Sequence, residues 1–333
     1  MRLTRGRELA CIIMVGAITR RGRLARAVLL AAALSAVALP ASASSFVLPT
    51  PGSSAEVSRL VAESVSREVA PATLNPTVDL MGKDWYWNIL PKAKCVDVVC
   101  SWGPTHPHRT IVLFGDSHAE MWAAAMEPAV VSAGDRFSLV AFPGCGPASM
   151  IQWVGKLDGT HSYSTSCGPW RRHAIAAIAA LHPAAVFMAE RTAGIWASPA
   201  QLMSDAQVDR GLTLTVAALR PLKAIIGIVG VNPAFAWPEF SPSQCVATHR
   251  HNVSVCATAV RKTDAWRTHV SAERAVATRE HLFFIDPVPW LCSATTCSPV
   301  IGNLLAYSDW SHVSATYAYY LSGMMNKALR PLL

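Results

Sequence analysis

Apolar runs alternate with amphipathic stretches along the chain from residue 109 onward. The runs that indicate buried strands cover residues 110–114, 137–142, 184–189, 224–231 and 281–285. Stretches with the apolar period of a helix lie between them, at residues 119–133, 169–181, 200–219 and 255–279. Each strand is continuously apolar, which is typical of a parallel sheet covered on both faces. The pattern therefore predicts an α/β fold in which helices flank a central parallel sheet.

The N-terminal third of the chain has a different character. An arginine-rich segment precedes an apolar run at residues 27–39 and the small residues 41–43, Ala-Ser-Ala. This order predicts a signal peptide over residues 1–43, with an uncleaved anchor as the alternative. Residues 44–108 hold a short helical pattern and then a stretch rich in Pro, Trp and Lys. We expect them to form an extension that packs on the domain at residues 109–333.

The net charge is concentrated in the predicted signal peptide. The whole chain has 29 basic and 21 acidic residues, a formal charge of +8. Seven Arg and one Glu lie within residues 1–43, so the rest of the chain is close to neutral. It has no patch of Lys and Arg interleaved with aromatic residues, which argues against nucleic acid as a partner.

The cysteines are arranged in couples. Cys11 falls within the predicted signal peptide, and the other eight are Cys95/Cys100, Cys145/Cys167, Cys245/Cys256 and Cys292/Cys297. No couple is a Cys-x-x-Cys and no His completes a zinc pattern, so a metal site is disfavoured, and no cofactor is predicted. Eight cysteines allow 105 pairings. We expect neighbours to pair as disulfides in an oxidising, extracytoplasmic compartment.

The first predicted strand ends in Gly115-Asp116-Ser117-His118. In open parallel sheets the ligand site lies beyond the carboxyl ends of the strands, where a serine is well placed to be a nucleophile. The alternative is that Asp116 or Ser117 only caps the following helix. A serine nucleophile needs a base to take its proton and a third group to orient that base. The rest of the chain must supply both.

A base and an orienting carboxylate are spaced three residues apart near the C-terminus, at Asp309 and His312. At this spacing on a turn or helix start the two side chains lie on one face. Asp309 can then accept a hydrogen bond from one imidazole nitrogen while the other nitrogen faces Ser117. The alternative is that Asp309 caps the last helix and His312 is a surface residue. We predict Ser117, His312 and Asp309 as nucleophile, base and orienting group.

The strand-ending Gly-Asp-Ser and the Asp-x-x-His before the last helix together resemble the SGNH (GDSL-like) hydrolase superfamily. The chain is similar to one branch of it through GDSHAEMW, a Gly-Cys-Gly-Pro, and a Cys-x4-Cys loop that leads into Tyr-x-Asp-x-x-His-x-Ser. That branch is the SGNH domain found fused to, or beside, membrane acyltransferase-3 proteins that acylate envelope glycans. The resemblance covers roughly residues 95–333 and implies a three-layer SGNH-type fold.

The resemblance also implies an oxyanion hole. In this family its donors are usually the backbone N–H of the nucleophile, a glycine on the second loop and an asparagine on the third. Ser117 is then the first donor, and Gly144 or Gly146 is the second, with Gly146 favoured. The third loop, at residues 190–192, has no asparagine, which leaves Asn232 on the fourth loop as a displaced candidate. Two backbone donors can be sufficient.

Two other features bear on the substrate. Arg191 follows a predicted strand, where it could contact an anionic glycan, although we expect a structural salt bridge. Tryptophans could stack on sugar rings, although most tryptophans are core residues; the candidates are Trp122, Trp170, Trp196, Trp237, Trp290 and Trp310.

The resulting hypothesis is an exported serine esterase or O-acyltransferase that acts on O-acyl groups, acetyl first, of an envelope glycan or glycolipid. A membrane acyltransferase is the protein partner that the resemblance implies. The sequence does not separate hydrolysis from transfer, since both reactions use the same three residues. The alternative is a glycan-binding or assembly protein that keeps the fold with weak catalysis.

Overall fold

The computed structural model describes residues 46–155, 160–235, 241–263 and 269–333. These residues belong to one compact unit, Ser45–Leu333. The predicted signal peptide lies outside the described residues and stays a prediction. None of the described helices is both long and apolar enough to cross a membrane.

Strands and helices alternate through most of this unit. In chain order the strands are β1 Lys94–Val96, β2 Val99–Trp102, β3 Thr110–Gly115, β4 Arg136–Ala141, β5 Trp153–Gly155, β6 His161–Tyr163, β7 Ala185–Ala189, β8 Trp196–Ser198, β9 Gln201–Leu202, β10 Ile225–Val229, β11 Thr258–Ala259, β12 Phe283–Ile285, β13 Thr296–Cys297, β14 Val300–Ile301 and β15 Leu304–Leu305. The α-helices are α1 Ser54–Ser64, α2 Tyr86–Ile89, α3 Ser117–Val131, α4 Cys167–Ala180, α5 Asp205–Leu219, α6 Pro242–Thr248, α7 Val260–Thr263, α8 Val270–Arg279, α9 Ala315–Tyr320 and α10 Ser322–Leu329.

The central sheet has seven strands in the order β1-β2-β4-β3-β7-β10-β12. Strands β4, β3, β7, β10 and β12 run parallel, and these five coincide with the five predicted apolar runs. Strand β2 pairs antiparallel with β4, and β1 pairs antiparallel with β2. The predicted α/β fold is confirmed. The carboxyl ends of the five parallel strands meet at one edge of the sheet, where a ligand site is expected.

The side chains of β3 show why the sheet is covered on both faces. Ile111 and Leu113 belong to the apolar core on one face, and Val112 and Phe114 belong to the core on the other. Helices α1, α3, α9 and α10 contribute to the first core, and α4, α5 and α8 contribute to the second. All four side chains are at most 1% exposed. A polar side chain at any of these positions would be buried without a partner, which is costly.

The helix predicted at residues 200–219 begins five residues later in the structure. Ser204 accepts a hydrogen bond from the backbone N–H of Gln207, and the Gln207 side chain accepts one from the backbone N–H of Ser204. This capping box defines the start of α5 at Asp205. Strand β9 occupies part of the segment before it.

The single helix predicted at residues 255–279 is wrong. Cys256 is bonded to Cys245, and the segment after it, β11, pairs antiparallel with β13. Two helices occupy part of the predicted stretch, α7 at Val260–Thr263 and α8 at Val270–Arg279. The helical period of the sequence carries no information about a covalent link or a distant strand, and both of these override it here.

A small sheet stands at the carboxyl edge of the central sheet. It has four antiparallel strands in the order β6-β5-β8-β9. The pair β5 and β6 is inserted after β4, and the pair β8 and β9 is inserted after β7. The apolar pattern did not predict this sheet, because strands of two or three residues are too short to show a period.

The extension before β3 packs into the same unit. Val57 and Val61 of α1 are buried in the core that α3 shares. Ser314 is the N-cap of α9, and Asp84 binds the first turn of that helix: its carboxylate accepts hydrogen bonds from the backbone N–H of Thr316 at 3.1 Å and from the Thr316 hydroxyl at 2.8 Å. Asp84 is only 2% exposed, and its burial raises its pKa to about 6 in spite of these hydrogen bonds.

The predicted pairing of neighbouring cysteines is confirmed. The four disulfides are Cys95–Cys100, Cys145–Cys167, Cys245–Cys256 and Cys292–Cys297. Two of them lie close to the carboxyl edge of the sheet: Cys145 ties the loop after β4 to the start of α4 at Cys167, and Cys292–Cys297 closes the loop that precedes β14. Four disulfides are typical of a protein that folds in an oxidising compartment.

We predict that Asp84→Asn changes the dependence of stability on pH. Because folding raises the pKa of Asp84 from 3.8 to about 6, the protonated carboxyl favours folding, and this contribution is lost as the pH rises from 4 to 6. Asparagine does not titrate. The free energy of unfolding of the variant, relative to wild type, should therefore increase by about 2–3 kcal/mol between pH 4 and pH 7.

Urea denaturation at both pH values measures this difference. Glu68→Gln, at an exposed position of the same extension, is the control and should show little change with pH. A variant whose stability relative to wild type is constant, or falls as the pH rises, would contradict the assignment of Asp84.

Candidate active site

Ser117 is the first residue of α3, and only Asp116 separates it from Gly115 at the end of β3. Asp116 is the N-cap, since its Oδ1 accepts a hydrogen bond from the backbone N–H of His118 at 2.8 Å. Gly115 is required before it, because a Cβ there would lie 1.8 Å from the carbonyl oxygen of Ala189 on β7. Asp116 rather than Ser117 therefore caps the helix, and the Ser117 hydroxyl is left for another partner.

The second carboxylate oxygen of Asp116 joins two loops. Oδ2 accepts a hydrogen bond from the backbone N–H of Arg191 at 3.0 Å. Arg191 follows β7, so this contact fixes the loop after β7 against the turn that carries Ser117. Asp116 is 4% exposed, and a buried carboxylate of this kind needs such donors.

The Ser117 hydroxyl lies against His312, which is 195 residues further along the chain. Ser117 Oγ is 2.8 Å from His312 Nε2, and His312 Nδ1 is 2.7 Å from Asp309 Oδ2. The imidazole is therefore within hydrogen-bond distance of a hydroxyl on one side and of a carboxylate on the other. These are the contacts that a Ser–His–Asp triad needs. The structure brings together the three residues that the sequence predicted as nucleophile, base and orienting group.

Asp309 also shapes the turn that carries His312. Its Oδ1 accepts hydrogen bonds from the backbone N–H of Ser311 at 2.8 Å and of His312 at 2.7 Å. Burial acts to raise the pKa of Asp309, but the hydrogen bonds and charge of His312 outweigh it and lower the pKa to about 2. Asp309 is therefore ionised at neutral pH, as an acceptor for the imidazole N–H must be.

Two aromatic rings flank the imidazole of His312. The ring of His118 lies with its centre 4.6 Å away, and the ring of Trp85 lies edge-on with its centre 5.8 Å away. His118 is 2% exposed; its burial and the neighbouring charge of His312 lower its pKa well below the ordinary value of 6.5. His118 is therefore neutral at physiological pH and adds no second positive charge beside His312.

Residues 89–327 match the family described as SGNH domain (fused to AT3 domains). The chain belongs to this SGNH family. It is also similar to the periplasmic domain of a lipopolysaccharide acetyltransferase from Salmonella ser. Paratyphi A, with 13% identity and a TM-score of 0.49 over 68% of this chain and 85% of that one. A GDSL-like lipase from Bacteroides thetaiotaomicron gives 11% identity and a TM-score of 0.43 over 68% and 89%. A search of curated proteins gave no match.

Family membership agrees with the geometry. SGNH proteins of this kind act on esters through a serine, and the serine here has the base and carboxylate that such chemistry requires. The protein is an ester-acting serine hydrolase or acyltransferase. The individual roles of Ser117, His312 and Asp309 are a prediction that the geometry supports.

The second loop of the SGNH domain, after β4, places its two glycines differently. Gly144 has a φ of +79° and lines a cavity, whereas Gly146 is buried. A Cβ on Gly146 would lie 2.1 Å from Glu190 Oε2, so the loop packs directly on that carboxyl. Arg171 holds the same loop by donating from Nε to the carbonyl oxygen of Gly146 at 3.0 Å. The predicted preference for Gly146 over Gly144 as an oxyanion donor stays a prediction.

Glu190 is buried under this loop, and its pKa is higher than that of an ordinary glutamate. Its Oε2 accepts a hydrogen bond from the backbone N–H of Ala148 at 3.2 Å. Burial, and then the negative charge of Asp116, raise the pKa of Glu190 to about 8. The carboxyl is therefore mostly neutral at pH 7, and it packs beneath the active site without adding a second full negative charge near Asp116.

Asn232, the displaced candidate for the third oxyanion donor, supports the His312 turn. Its Nδ2 donates to the carbonyl oxygen of Ser311 at 2.7 Å and to that of Pro233 at 3.2 Å. Asn232 is 1% exposed. Its amide N–H groups are engaged with these two carbonyls, so the contacts give its predicted part in the oxyanion hole no support.

A cavity of about 650 Å³ lies beside the triad. Three of its lining residues, Gly144, Arg191 and Trp310, belong to the loops that form the active site. Trp310 lies between Asp309 and His312 in sequence, and Arg191 is the residue whose N–H binds Asp116. The cavity therefore begins at the turns that hold the predicted catalytic groups.

The small sheet forms the aromatic wall of this cavity. Trp153 on β5 lies opposite Trp196 on β8, and both line the cavity. The Trp153 ring packs edge-to-face on Tyr163 at 4.9 Å and nearly parallel to the ring of His161 at 6.5 Å. Trp196 is 38% exposed, so it presents indole surface to a ligand.

The tryptophans divide between core and site. Trp122 and Trp290 are core residues, Trp170 is partly buried on the second core, and Trp237 lies outside the described residues. Trp196 and Trp310 line the cavity. Trp85 and Trp153 were not among the tryptophans predicted for the site. The density of aromatic residues in the stretch 85–87 was the one available signal for Trp85; Trp153 had none, since its short strand was not predicted.

We predict that Trp85→Ala lowers kcat on a small ester by roughly 2- to 10-fold, because an edge-on aromatic contact contributes about 0.5–1.5 kcal/mol. The contact with His312 helps to hold the imidazole in line with Ser117, so the loss should appear in kcat more than in KM. Initial rates over a range of substrate concentrations give kcat and KM separately for each variant. Trp87→Ala is the control, since Trp87 is 55% exposed and its ring contacts are with Trp85 and Tyr86 rather than with His312. Equal losses in the two variants, or a loss confined to KM, would contradict this role.

Proposed function

We propose that this SGNH enzyme cleaves or transfers small O-acyl groups, acetyl first, on a glycan of the cell envelope. One observation carries the proposal: the Ser117–His312–Asp309 hydrogen-bond chain lies beside a wide cavity with an aromatic wall. The hydrogen-bond chain supports acyl transfer, and the aromatic wall supports a carbohydrate. Exposed indole faces bind the apolar faces of sugar rings, whereas a long acyl chain would favour an enclosed apolar channel.

The first half-reaction follows from the geometry. His312 Nδ1–H donates to Asp309, so Nε2 is free to accept the proton of the Ser117 hydroxyl at 2.8 Å. Ser117 Oγ attacks the acyl carbonyl, and the carbonyl π electrons move onto oxygen to give a tetrahedral oxyanion. The backbone N–H of Ser117 and of a glycine on the second loop are the proposed donors to this oxyanion. Asp309, ionised at neutral pH, stabilises the imidazolium that forms.

Collapse of the intermediate completes the transfer. The bond to the leaving alcohol breaks, His312 returns the proton to that oxygen, and an acyl-Ser117 ester remains. An acceptor hydroxyl then gives its proton to His312 and its oxygen attacks the acyl carbon. The bond between that carbon and Ser117 Oγ breaks, and His312 returns the proton to Oγ, which restores the serine. Water as acceptor gives hydrolysis, and a sugar hydroxyl gives transfer.

Export supports the same picture. The four disulfides favour an oxidising compartment, which agrees with the predicted signal peptide. The family is described as fused to AT3 domains, so a membrane acyltransferase that supplies or shares the acyl group is the proposed partner. The alternative of a glycan-binding protein with weak catalysis is separated from this proposal by the activity of the triad variants.

We predict a graded response of esterase activity to substitution in the triad. Ser117→Ala and His312→Ala should each lower kcat on p-nitrophenyl acetate by on the order of 10⁵-fold, because neither nucleophile nor base has a substitute. Asp309→Asn should retain roughly 10- to 100-fold more activity, since Asp309 orients the ring without taking the proton. Wild-type rates in His312→Ala would show that another group is the base. Absence of Ser117-dependent turnover in the wild type would favour the binding protein.

The acyl and glycan specificity can be tested separately. We expect acetyl esters to be hydrolysed at least tenfold faster than palmitoyl esters of the same alcohol, because the cavity is wide and aromatic rather than a narrow apolar channel. A strain that lacks the gene should have an envelope glycan with altered O-acetylation and an unchanged sugar backbone, measured by NMR of the purified glycan. A strain complemented with Ser117→Ala is the control. Equal rates on both esters together with unaltered glycan acetylation would refute the substrate assignment.

A further inference from the structure

Arg191 is a half-buried cationic residue that lines the cavity. The Cζ atom of its guanidinium lies 5.7 Å from the centre of the Trp310 ring. At this distance the ring attracts the guanidinium through a cation–π interaction. The expected structural salt bridge is not formed: within residues 46–155, 160–235, 241–263 and 269–333, the guanidinium of Arg191 pairs with no carboxylate. Its backbone N–H, rather than its side chain, is what binds Asp116.

Arg171 lies in the same region, and its side chain has a structural role that Arg191 lacks. It is 6% exposed and donates from Nε to the carbonyl oxygen of Gly146 and from Nη2 to that of Met150. Its donors are used to hold two loop segments. Arg191 has no comparable set of acceptors among the described residues, so its donors are available to a ligand.

The charge of the cavity wall has one sign. The described lining residues include no Asp or Glu, and the two ionisable ones are Arg191 and His161. Asp309 and Asp116 are nearby, but their oxygens are engaged with His312 and with backbone N–H groups. A guanidinium is a flat donor of paired hydrogen bonds, and it matches the two oxygens of a carboxylate or a phosphate.

We propose that Arg191, together with Trp310 and the aromatic wall of the small sheet, forms a subsite for a sugar that carries an anionic substituent, a carboxylate or a phosphate. The inference rests on the proposed function, since it names the class of glycan that the enzyme acylates or deacylates. The sugar ring lies on indole surface, and its anionic group lies on Arg191. The acylated hydroxyl then reaches Ser117 from the same side as the loop after β7.

Three mono-O-acetylated sugars test the proposal: a methyl glucoside, a methyl glucuronoside and a glucose phosphate. The measured quantity is kcat/KM for each, at low salt and at 0.5 M NaCl. Wild type should prefer one or both anionic esters over the neutral ester by about tenfold or more, and salt should reduce this preference. The glucuronoside and the phosphate arms show which anion the subsite takes.

The variants assign the preference to one side chain. Arg191→Gln should reduce the anionic-to-neutral ratio at least tenfold, chiefly through KM, and Arg191→Lys should retain an intermediate ratio because it keeps the charge without the paired donors. Arg172→Gln, at an exposed position on α4 away from the cavity, is the matched control. A wild type without an anionic preference, or equal losses on all three esters in Arg191→Gln, overturns the proposal. Equal losses would mean that Arg191 either contacts the oxyanion or stabilises the folded structure.

Failure of the proposed function gives a different result. If wild type turns over none of the acetyl esters, the reaction is wrong, and the subsite is tested by calorimetric binding of the unacetylated sugars. Binding of the glucuronoside or the phosphate that is lost in Arg191→Gln supports the subsite without the reaction. Absence of such binding overturns the subsite as well.

Discussion

The hydrogen bond between Ser117 Oγ and His312 Nε2, 2.8 Å long, requires two turns separated by 195 residues to stay fixed relative to each other. A shift of about 1 Å at such a contact is enough to cost a large part of the rate of an enzyme. Most of the polar contacts around the site are explained by this requirement. Asp116 fixes the first turn to the loop after β7, and Asn232 fixes the second turn to the loop after β10. Each turn is thus tied to a different strand of one rigid sheet.

Burial near the triad decides which of the neighbouring side chains are charged at neutral pH. His118 beside the imidazole is neutral because it is buried, and Glu190 under the second loop is mostly neutral at pH 7 because burial raises its pKa to about 8. Asp309 is the exception among these groups, since the hydrogen bonds and charge of His312 keep it ionised. In the proposed mechanism, an imidazolium formed on His312 would therefore be stabilised by one carboxylate and opposed by no neighbouring cation on His118.

Segments outside the parallel core form much of the region around the site. The extension contributes Trp85 beside His312, and Asp84 next to it binds the first turn of α9, the helix that follows the His312 turn. The small sheet, inserted after β4 and β7, contributes the aromatic wall of the cavity. The parallel core thus positions the reacting groups, and the insertions and the extension provide the surface that a substrate meets. Loops and insertions carry this kind of specificity in many α/β proteins.

The amino-acid sequence by itself determined the five parallel strands, the place of Ser117 at the end of β3, the spacing of Asp309 and His312, and the pairing of cysteines. A continuous apolar run, a strand-ending polar residue and a short spacing are local features that each show within a short segment, and the paired cysteines are at most 22 residues apart. Tertiary structure decided what depends on distant segments. The interruption of the helix predicted at 255–279 depends on a disulfide and on pairing with β13, and the small sheet consists of strands too short to have a period. The contact of Trp85 with His312, the packing of Glu190 on Gly146 and the position of Arg191 on the cavity depend on the order of the strands and on the packing of the helices, which no single segment of the sequence encodes.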